Sequence, residues 1–263
     1  GVDGLPRHEA ARLLAVATGR SRAALLAGGR VPAAEAARFR DLCRRRRGGE
    51  PLQYLEGSVP FGPVTVRVDS RVLVPRPETE RLYEIVTGLL HPAPPAIVVD
   101  LCTGSGNLAI ALAHDFPAAA VYATELSAEA AALAAENAAA NGVAVTVLCG
   151  DLFAPLPAAL AGSVDAVVAN PPYVAAGEVA GLPVDVREHE PRRALVAGER
   201  GDEVLARIAA AAGRWLRPGG LLACEIGETQ GRRARELFAF FAPEVLPDLT
   251  GRDRYVVGRA PGD

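Results

Sequence analysis

A chain of 263 residues, 50% of them hydrophobic and 22% charged, has the length and apolar content of one or two globular domains with a sizeable core. Its formal charge of −3 excludes a nucleic-acid binder driven by bulk electrostatics. All 28 basic residues are arginine, which removes a Schiff-base lysine and a Walker-type phosphate lysine from consideration.

The stretch from 7 to 47 has helical spacing and no strand alternation. Ala10, Leu13, Leu14 and Val16 come first, then Leu25 and Leu26 after Ser21, then Phe39, Leu42 and Cys43 after Pro32. Residues 1–50 are therefore expected to form a small helical domain. Arg44-Arg45-Arg46-Arg47 ends its last helix, where cations suit the helix C-terminus and Gly48-Gly49 stops it. Such a run is a solvated face first and a docking surface for an acidic or RNA-bound partner second.

Residues 51–78 read as a β-rich connector, with Val64, Val66 and Val68 on one face and Thr65, Arg67 and Asp69 on the other. From 79 to 263, apolar strands alternate with helices. Strands are expected at 97–101, 121–125, 143–149, 164–169, 220–226 and 254–258, and helices around 79–90, 106–114, 127–141, 202–216 and 229–241. That rhythm implies an α/β fold, a mostly parallel sheet covered on both sides.

Cys43, Cys102, Cys149 and Cys224 lie far apart and form no C-x-x-C pair. Neither a metal site nor a disulfide framework is expected, which fits a reducing cytoplasm. Asp3, Arg7, His8 and Glu9 at the N-terminus, and the lack of an apolar run near the roughly 18 to 20 residues needed to span a bilayer, predict neither export nor membrane insertion.

Two motifs carry the chemistry. In the first, the strand ending at Asp100 runs through Leu101, Cys102, Thr103, Gly104, Ser105 and Gly106 into a helix, and Glu125 closes the next strand about 20 residues later. The glycines allow close backbone approach to a ligand, and the Glu125 carboxylate can hold ribose hydroxyls. This segment alone leaves NAD and S-adenosylmethionine open. Asp100 favours the second, because a carboxylate at the turn repels a pyrophosphate and attracts a sulfonium or ammonium group. Asp151 is placed to receive an adenine amino group, and Leu152 to cover the adenine face.

The second motif is Asn170-Pro171-Pro172-Tyr173, at the C-terminal end of the strand 164–169. Open α/β sheets bind ligands at such ends. Prolines donate no N–H, so the carbonyls here are free to accept from a substrate. The Asn170 side-chain oxygen and these carbonyls suit a planar NH2 group, with the Tyr173 ring beside it. Other polar residues have plainer readings: Glu78 and Glu80 as helix caps, with a pocket role the equal alternative and Arg76 able to pair with either, His189 in an exposed charged loop, Trp215 and Cys102 as packing.

Together these motifs resemble amino-directed class I methyltransferases. The segments 51–55, 72–80, 190–195 and 251–254, which include Arg76-Pro77-Glu78-Thr79-Glu80 and Glu190-Pro191-Arg192-Arg193, resemble the HemK/PrmC family over nearly the whole chain. That resemblance implies a Rossmann-like, S-adenosylmethionine-dependent catalytic domain behind a small N-terminal helical domain that helps recognise a peptide chain release factor. It implies donor binding by Asp100, Cys102, Thr103, Gly104, Ser105, Gly106, Glu125, Asp151, Leu152 and Asn170. Asn170, Pro171, Pro172 and Tyr173 would hold the glutamine of a Gly-Gly-Gln motif, with no metal, no direct nucleic-acid binding and a monomer expected. Cys102 stands where release-factor enzymes usually carry Gly. The turn around it looks more like a sister branch that methylates a ribosomal-protein glutamine. A ribosomal-protein glutamine, a small amine, or an NAD-dependent oxidation remain the alternatives.

Overall fold

The computed structural model describes residues 4–262; Asp3 of the polar N-terminus lies outside them. The chain opens with α1 (Arg7–Thr18), α2 (Arg22–Leu26), α3 (Ala33–Arg47) and α4 (Leu52–Glu56). Gly19, at a φ of 65°, ends α1 in the left-handed conformation that glycine adopts without strain. Leu13 and Ala17 of α1, Leu42 and Cys43 of α3, and Leu52 and Leu55 of α4 bury one small core. Leu26 does not join it and is 81% exposed. Adjacent helical residues point about 100° apart, so the short α2 cannot turn both Leu25 and Leu26 inward. Arg44, Arg45 and Arg46 pair with Asp41, Glu50 and Glu9, and the Arg47 Nε donates to the Cys43 carbonyl. The basic run closes this helical unit on itself.

Within the stretch read as a β-rich connector, α4 occupies Leu52–Glu56, and strand pairing is confined to β1 (Ser58–Phe61) and β2 (Val64–Arg67). Leu52 and Leu55, three apart, gain more by covering the helical core than by extending the hairpin. Val64, Val66 and Val68 are buried on the expected face.

The rest of the chain follows as α5 (Pro77–Leu90), β3 (Ile97–Leu101), α6 (Asn107–Asp115), β4 (Ala120–Glu125), α7 (Ala128–Ala140), β5 (Val145–Cys149) and β6 (Val164–Ala169). An insertion of β7 (Val174–Ala175), α8 (Val184–His189), α9 (Arg192–Leu195) and β8 (Val196–Gly198) precedes α10 (Glu203–Trp215), β9 (Leu216–Glu225), α11 (Gly231–Leu237), β10 (Glu244–Pro247) and β11 (Asp253–Arg259). The large sheet has the order β10-β11-β9-β6-β3-β4-β5. β9, β6, β3, β4 and β5 are parallel, and β11 runs antiparallel to β9 and β10. From β3 the chain moves outward to β5 and returns as β6 on the other side of β3. The C-terminal ends of β3 and β6 therefore flank the switch point at which such sheets bind ligands.

Side-chain alternation sorts the sheet into two faces. Val98, Val168, Leu221 and Ala223 point to the face covered by α5, α6 and α7, where they meet Leu82, Leu108 and Leu133. Val99, Leu101, Val167, Leu222 and Cys224 point to the face covered by α10 and α11, with Ile208, Trp215 and Phe238. Trp215 is core packing, as expected, and stacks on Phe153 at 5.8 Å. Continuing the same alternation puts Asp100 of β3, Asn170 just past β6 and Glu225 of β9 on the α5 face.

Two asparagines couple the hairpin to this scaffold. Asn137 of α7 is fully buried; its Oδ1 accepts the Arg67 N–H at 2.8 Å, and its Nδ2 donates to the Arg67 and Ser105 carbonyls at 3.0 and 2.8 Å. Asn141, one turn on, does the same for Thr65, so two amide side chains complete the free edge of β2 as a neighbouring strand would. Asn137→Ala removes partners from both the hairpin and the Gly-rich turn. Stability is expected to fall by about 2 kcal/mol, measured by urea denaturation.

Candidate active site

A cavity of about 240 Å³ opens at the C-terminal ends of β3, β4 and β6. Asp100, Cys102, Thr103, Gly104, Ser105, Glu125, Asp151, Leu152, Asn170 and Pro172 line it. Gly106 lies behind the lining, where a Cβ would meet Ile110 at 2.9 Å and Ala134 at 3.2 Å, so its role is the close passage of the turn against α6 and α7. Pro171 is buried and Tyr173 turns toward β9; neither is among the lining residues. Cys102 packs against the core under α10 and α11, as expected, but is partly exposed at the cavity wall and not fully buried. Its φ of 57° is the left-handed region, held without glycine at a cost of roughly 1 kcal/mol.

Asp100 is 1% exposed. Its Oδ2 accepts the Thr103 hydroxyl at 2.5 Å and the Ala109 N–H at 3.2 Å, whereas Oδ1 is buried without a partner among the described residues. Burial pushes its carboxyl up to about 7 despite those two bonds. Thr124 Oγ1, also buried at this wall, is likewise unpartnered. An unsatisfied carboxylate oxygen is costly in an empty protein and is satisfied by a ligand carrying an ammonium or sulfonium group. The residues present fit S-adenosylmethionine.

Glu125 receives the Gly104 N–H at 3.0 Å on Oε2 and the Ser127 N–H at 2.9 Å on Oε1. It thus holds the Gly-rich turn in shape, and each oxygen keeps a second lone pair for a ribose hydroxyl. Asp151 pairs with Arg207 of α10 through Oδ2, which leaves Oδ1 for an adenine amino group.

The insertion after β6 forms one wall, through Pro191, Arg193, Ala194 and Val196. Arg76 holds it down: its Nη2 lies 2.7 Å from both oxygens of the buried Glu190. The expected pairing of Arg76 with Glu78 or Glu80 does not form; Glu80 instead accepts the Gly62 N–H at 2.8 Å. His189 ends α8 and is not in a loop, with Nε2 3.3 Å from the Gly48 carbonyl of the helical unit.

Two residues that the sequence reading passed over complete the Asn170 side of the cavity. The Asn170 Nδ2 donates to Thr79 Oγ1 at 2.8 Å, and the Thr79 hydroxyl donates to Glu225 Oε2 at 2.7 Å. The Tyr173 hydroxyl reaches Glu225 Oε1 at 3.3 Å. Thr79 sits in the first turn of α5, inside the Arg-Pro-Glu-Thr-Glu segment, and Glu225 is the acidic end of an apolar strand. That last pattern, shared with Asp100 and Glu125, was the signal available for finding Glu225.

The chain matches the family model described as PrmC N-terminal domain over residues 3–57 and the one described as Methyltransferase small domain over residues 85–184. It is 44% identical over 257 residues to the release factor glutamine methyltransferase of Moorella thermoacetica, an alignment covering 95% of this chain and 89% of that protein. The chain belongs to the release factor glutamine methyltransferase family. The protein of the same name from Deinococcus radiodurans is 42% identical, with 98% and 92% of the two chains covered. A solved ribosomal protein L11 methylase from Lactobacillus delbrueckii subsp. bulgaricus superposes with a TM-score of 0.51 at 24% identity, over 70% of this chain and 79% of that one, and shows the shared fold. The protein is an S-adenosylmethionine-dependent methyltransferase with a class I, Rossmann-like catalytic fold and an N-terminal helical unit. Family membership removes the NAD-dependent oxidoreductase alternative. Among the described residues of this methyltransferase, no helix is long and apolar enough to cross a membrane.

Proposed function

We propose that this methyltransferase modifies the side-chain amide nitrogen of the glutamine in the Gly-Gly-Gln motif of peptide chain release factors. The observation that carries the reading is the Asn170 amide: its NH2 end is committed to Thr79, so the oxygen is the end left for a ligand, at the cavity that Asp100 also lines. The names of the relatives support the choice of acceptor. Residues 1–50 form the recognition unit for the release factor in this reading, 51–78 the connector and 79–263 the catalytic part. Asp100, the 102–106 turn, Glu125, Asp151 and Leu152 hold the methyl donor.

An amide nitrogen is a weak nucleophile, its lone pair being delocalised into the carbonyl, and it is too weak an acid for a carboxylate or phenol to deprotonate. S-adenosylmethionine supplies an electrophilic methyl group when bound. The protein supplies geometry. In this reading Asn170 Oδ1 accepts one acceptor N–H, and the other goes to the main-chain carbonyl of Pro171, a buried residue between the lining residues Asn170 and Pro172, which favours pyramidal nitrogen with its lone pair directed along the transfer line. Pro171 and Pro172 have no N–H of their own to compete for those carbonyls. The insertion wall excludes water and strengthens each of these contacts. Proton release follows transfer, since an N-methylated amide cation is strongly acidic.

The test is transfer of labelled methyl groups to a purified release factor and to its Gly-Gly-Gln→Gly-Gly-Ala variant, with mass mapping. Label on that glutamine, lost in the variant, is the expected result. Intact donor binding with no label on the release factor would redirect the search to ribosomal proteins and small amines.

A further inference from the structure

We infer that Thr79 and Glu225 act as positioning residues that fix which end of the Asn170 amide faces the methyl acceptor. The inference rests on the reading that Asn170 receives an acceptor N–H. The two residues lie 2% and 1% exposed, 146 apart in sequence, and meet because β9 and the start of α5 share the sheet face onto which Asn170 also projects.

The direction of the hydrogen bonds follows from chemistry. An ionised carboxylate only accepts, so Thr79 must spend its single proton on Glu225. The Thr79 oxygen can then only accept from Asn170, which must offer its NH2 end. Asn170 Oδ1 is left for the acceptor. Tyr173 is held from the same carboxylate, and its backbone carbonyl receives Gln230 Nε2 at 3.2 Å, so the segment after Asn170 is anchored at both its ring and its main chain. Replace Glu225 by a group that can donate and the chain of bonds can reverse. The Thr79 proton then turns to Asn170 Oδ1, the amide flips, and an NH2 group meets the NH2 group of the acceptor.

The groups around Glu225 bear on its protonation. Burial, reinforced by Glu78 of α5, pushes it up to about 7, against the Thr79 and Tyr173 hydrogen bonds and Arg254 of β11, with Tyr255 also alongside. The relay is therefore in its directing form above neutral pH and loses that form below it. Asp100 titrates in the same range but governs donor affinity. At saturating donor, the Glu225 limb is the one that kcat reports.

Thr79→Val, Thr79→Ser and Glu225→Gln test the relay, with kcat at saturating donor, donor Kd by calorimetry and the Asn170 side-chain amide resonances by 15N NMR. Thr79→Val is expected to lower kcat on the order of 100-fold with donor Kd unchanged, and Thr79→Ser to restore most of it. Glu225→Gln should lower kcat and erase its rise through pH 7. In the wild type the Asn170 amide protons should exchange slowly, and in Thr79→Val quickly. Wild-type kcat and unchanged Asn170 exchange in Thr79→Val would overturn the inference. The exchange measurement needs no methyl acceptor, so it decides the relay even if the wild type fails to label a release factor, which would instead overturn the proposed acceptor.

Discussion

Asn170→Ala is expected to abolish methyl transfer, with kcat reduced by about 1,000-fold or more while donor affinity stays within about threefold of wild type. The asymmetry comes from the position of the side chain. Asn170 stands at the tip of β6, and its polar bond is to Thr79 of α5, away from the turn that carries Asp100, Thr103 and Gly104. Removing the amide leaves that turn and the Glu125 contacts in place. It deletes the oxygen proposed to hold the acceptor nitrogen in line. Single-turnover transfer and calorimetric donor binding on the same preparation check both halves, and full activity in the variant would refute the assigned role.

Asp100→Asn should have the opposite signature: donor affinity lost by about 100-fold, and a free protein that is more stable than wild type at pH 8 by about 2 kcal/mol. The stability gain follows from the direction of the Asp100 shift. Its carboxyl titrates near 7 in the fold because burial disfavours the charge. As pH rises from the ordinary carboxylate range toward 7, the unfolded chain releases its proton first, so the fold is progressively destabilised, and the loss is complete above 7. The amide never ionises and escapes that cost. The same sign makes donor affinity rise with pH through about 7 in the wild type, since only the ionised form attracts a cation. Thermal melts of the free proteins at pH 5 and pH 8, with donor titrations at both, separate the two effects. A pH-independent donor Kd in the wild type would rule out charge attraction by Asp100.

The chain assembles this cavity at a standing cost. Asp100 and Glu225 are both buried carboxylates pushed up to about 7, one at the cavity wall and one behind Thr79 and Asn170. Neither is explained by packing alone. In the proposed reading, each is where a charge does something a neutral group cannot: attracting a cation at Asp100, and imposing a direction on hydrogen bonds at Glu225.

Local pattern determined much of this protein. The apolar runs at 97–101 and 164–169 are β3 and β6 with the bounds read from the sequence, because each run, broken only by Asp100 or Asp165, is enclosed by turn-forming residues: Pro94-Pro95 and Thr103-Gly104 around the first, Gly162-Ser163 and Asn170-Pro171 around the second. The Asp100 side of the cavity was legible from equally local signals. Asp100, the glycine turn and Glu125 are strand tips and turn chemistry, set by neighbours a few residues away. Short elements were not: α4 and α8 carry too few residues for a period to declare itself, and β10, four residues ending at Pro247, gives no strand signal without its antiparallel partner. Tertiary structure alone decided the contacts that complete the site. Asn170 meets Thr79 across 91 residues, Arg76 meets Glu190 across 114, and Asn137 meets Arg67 across 70. Such pairs leave no periodic trace, because a hydrogen bond between distant residues depends on the order of strands in the sheet and on which face each residue takes, and both are properties of the folded chain.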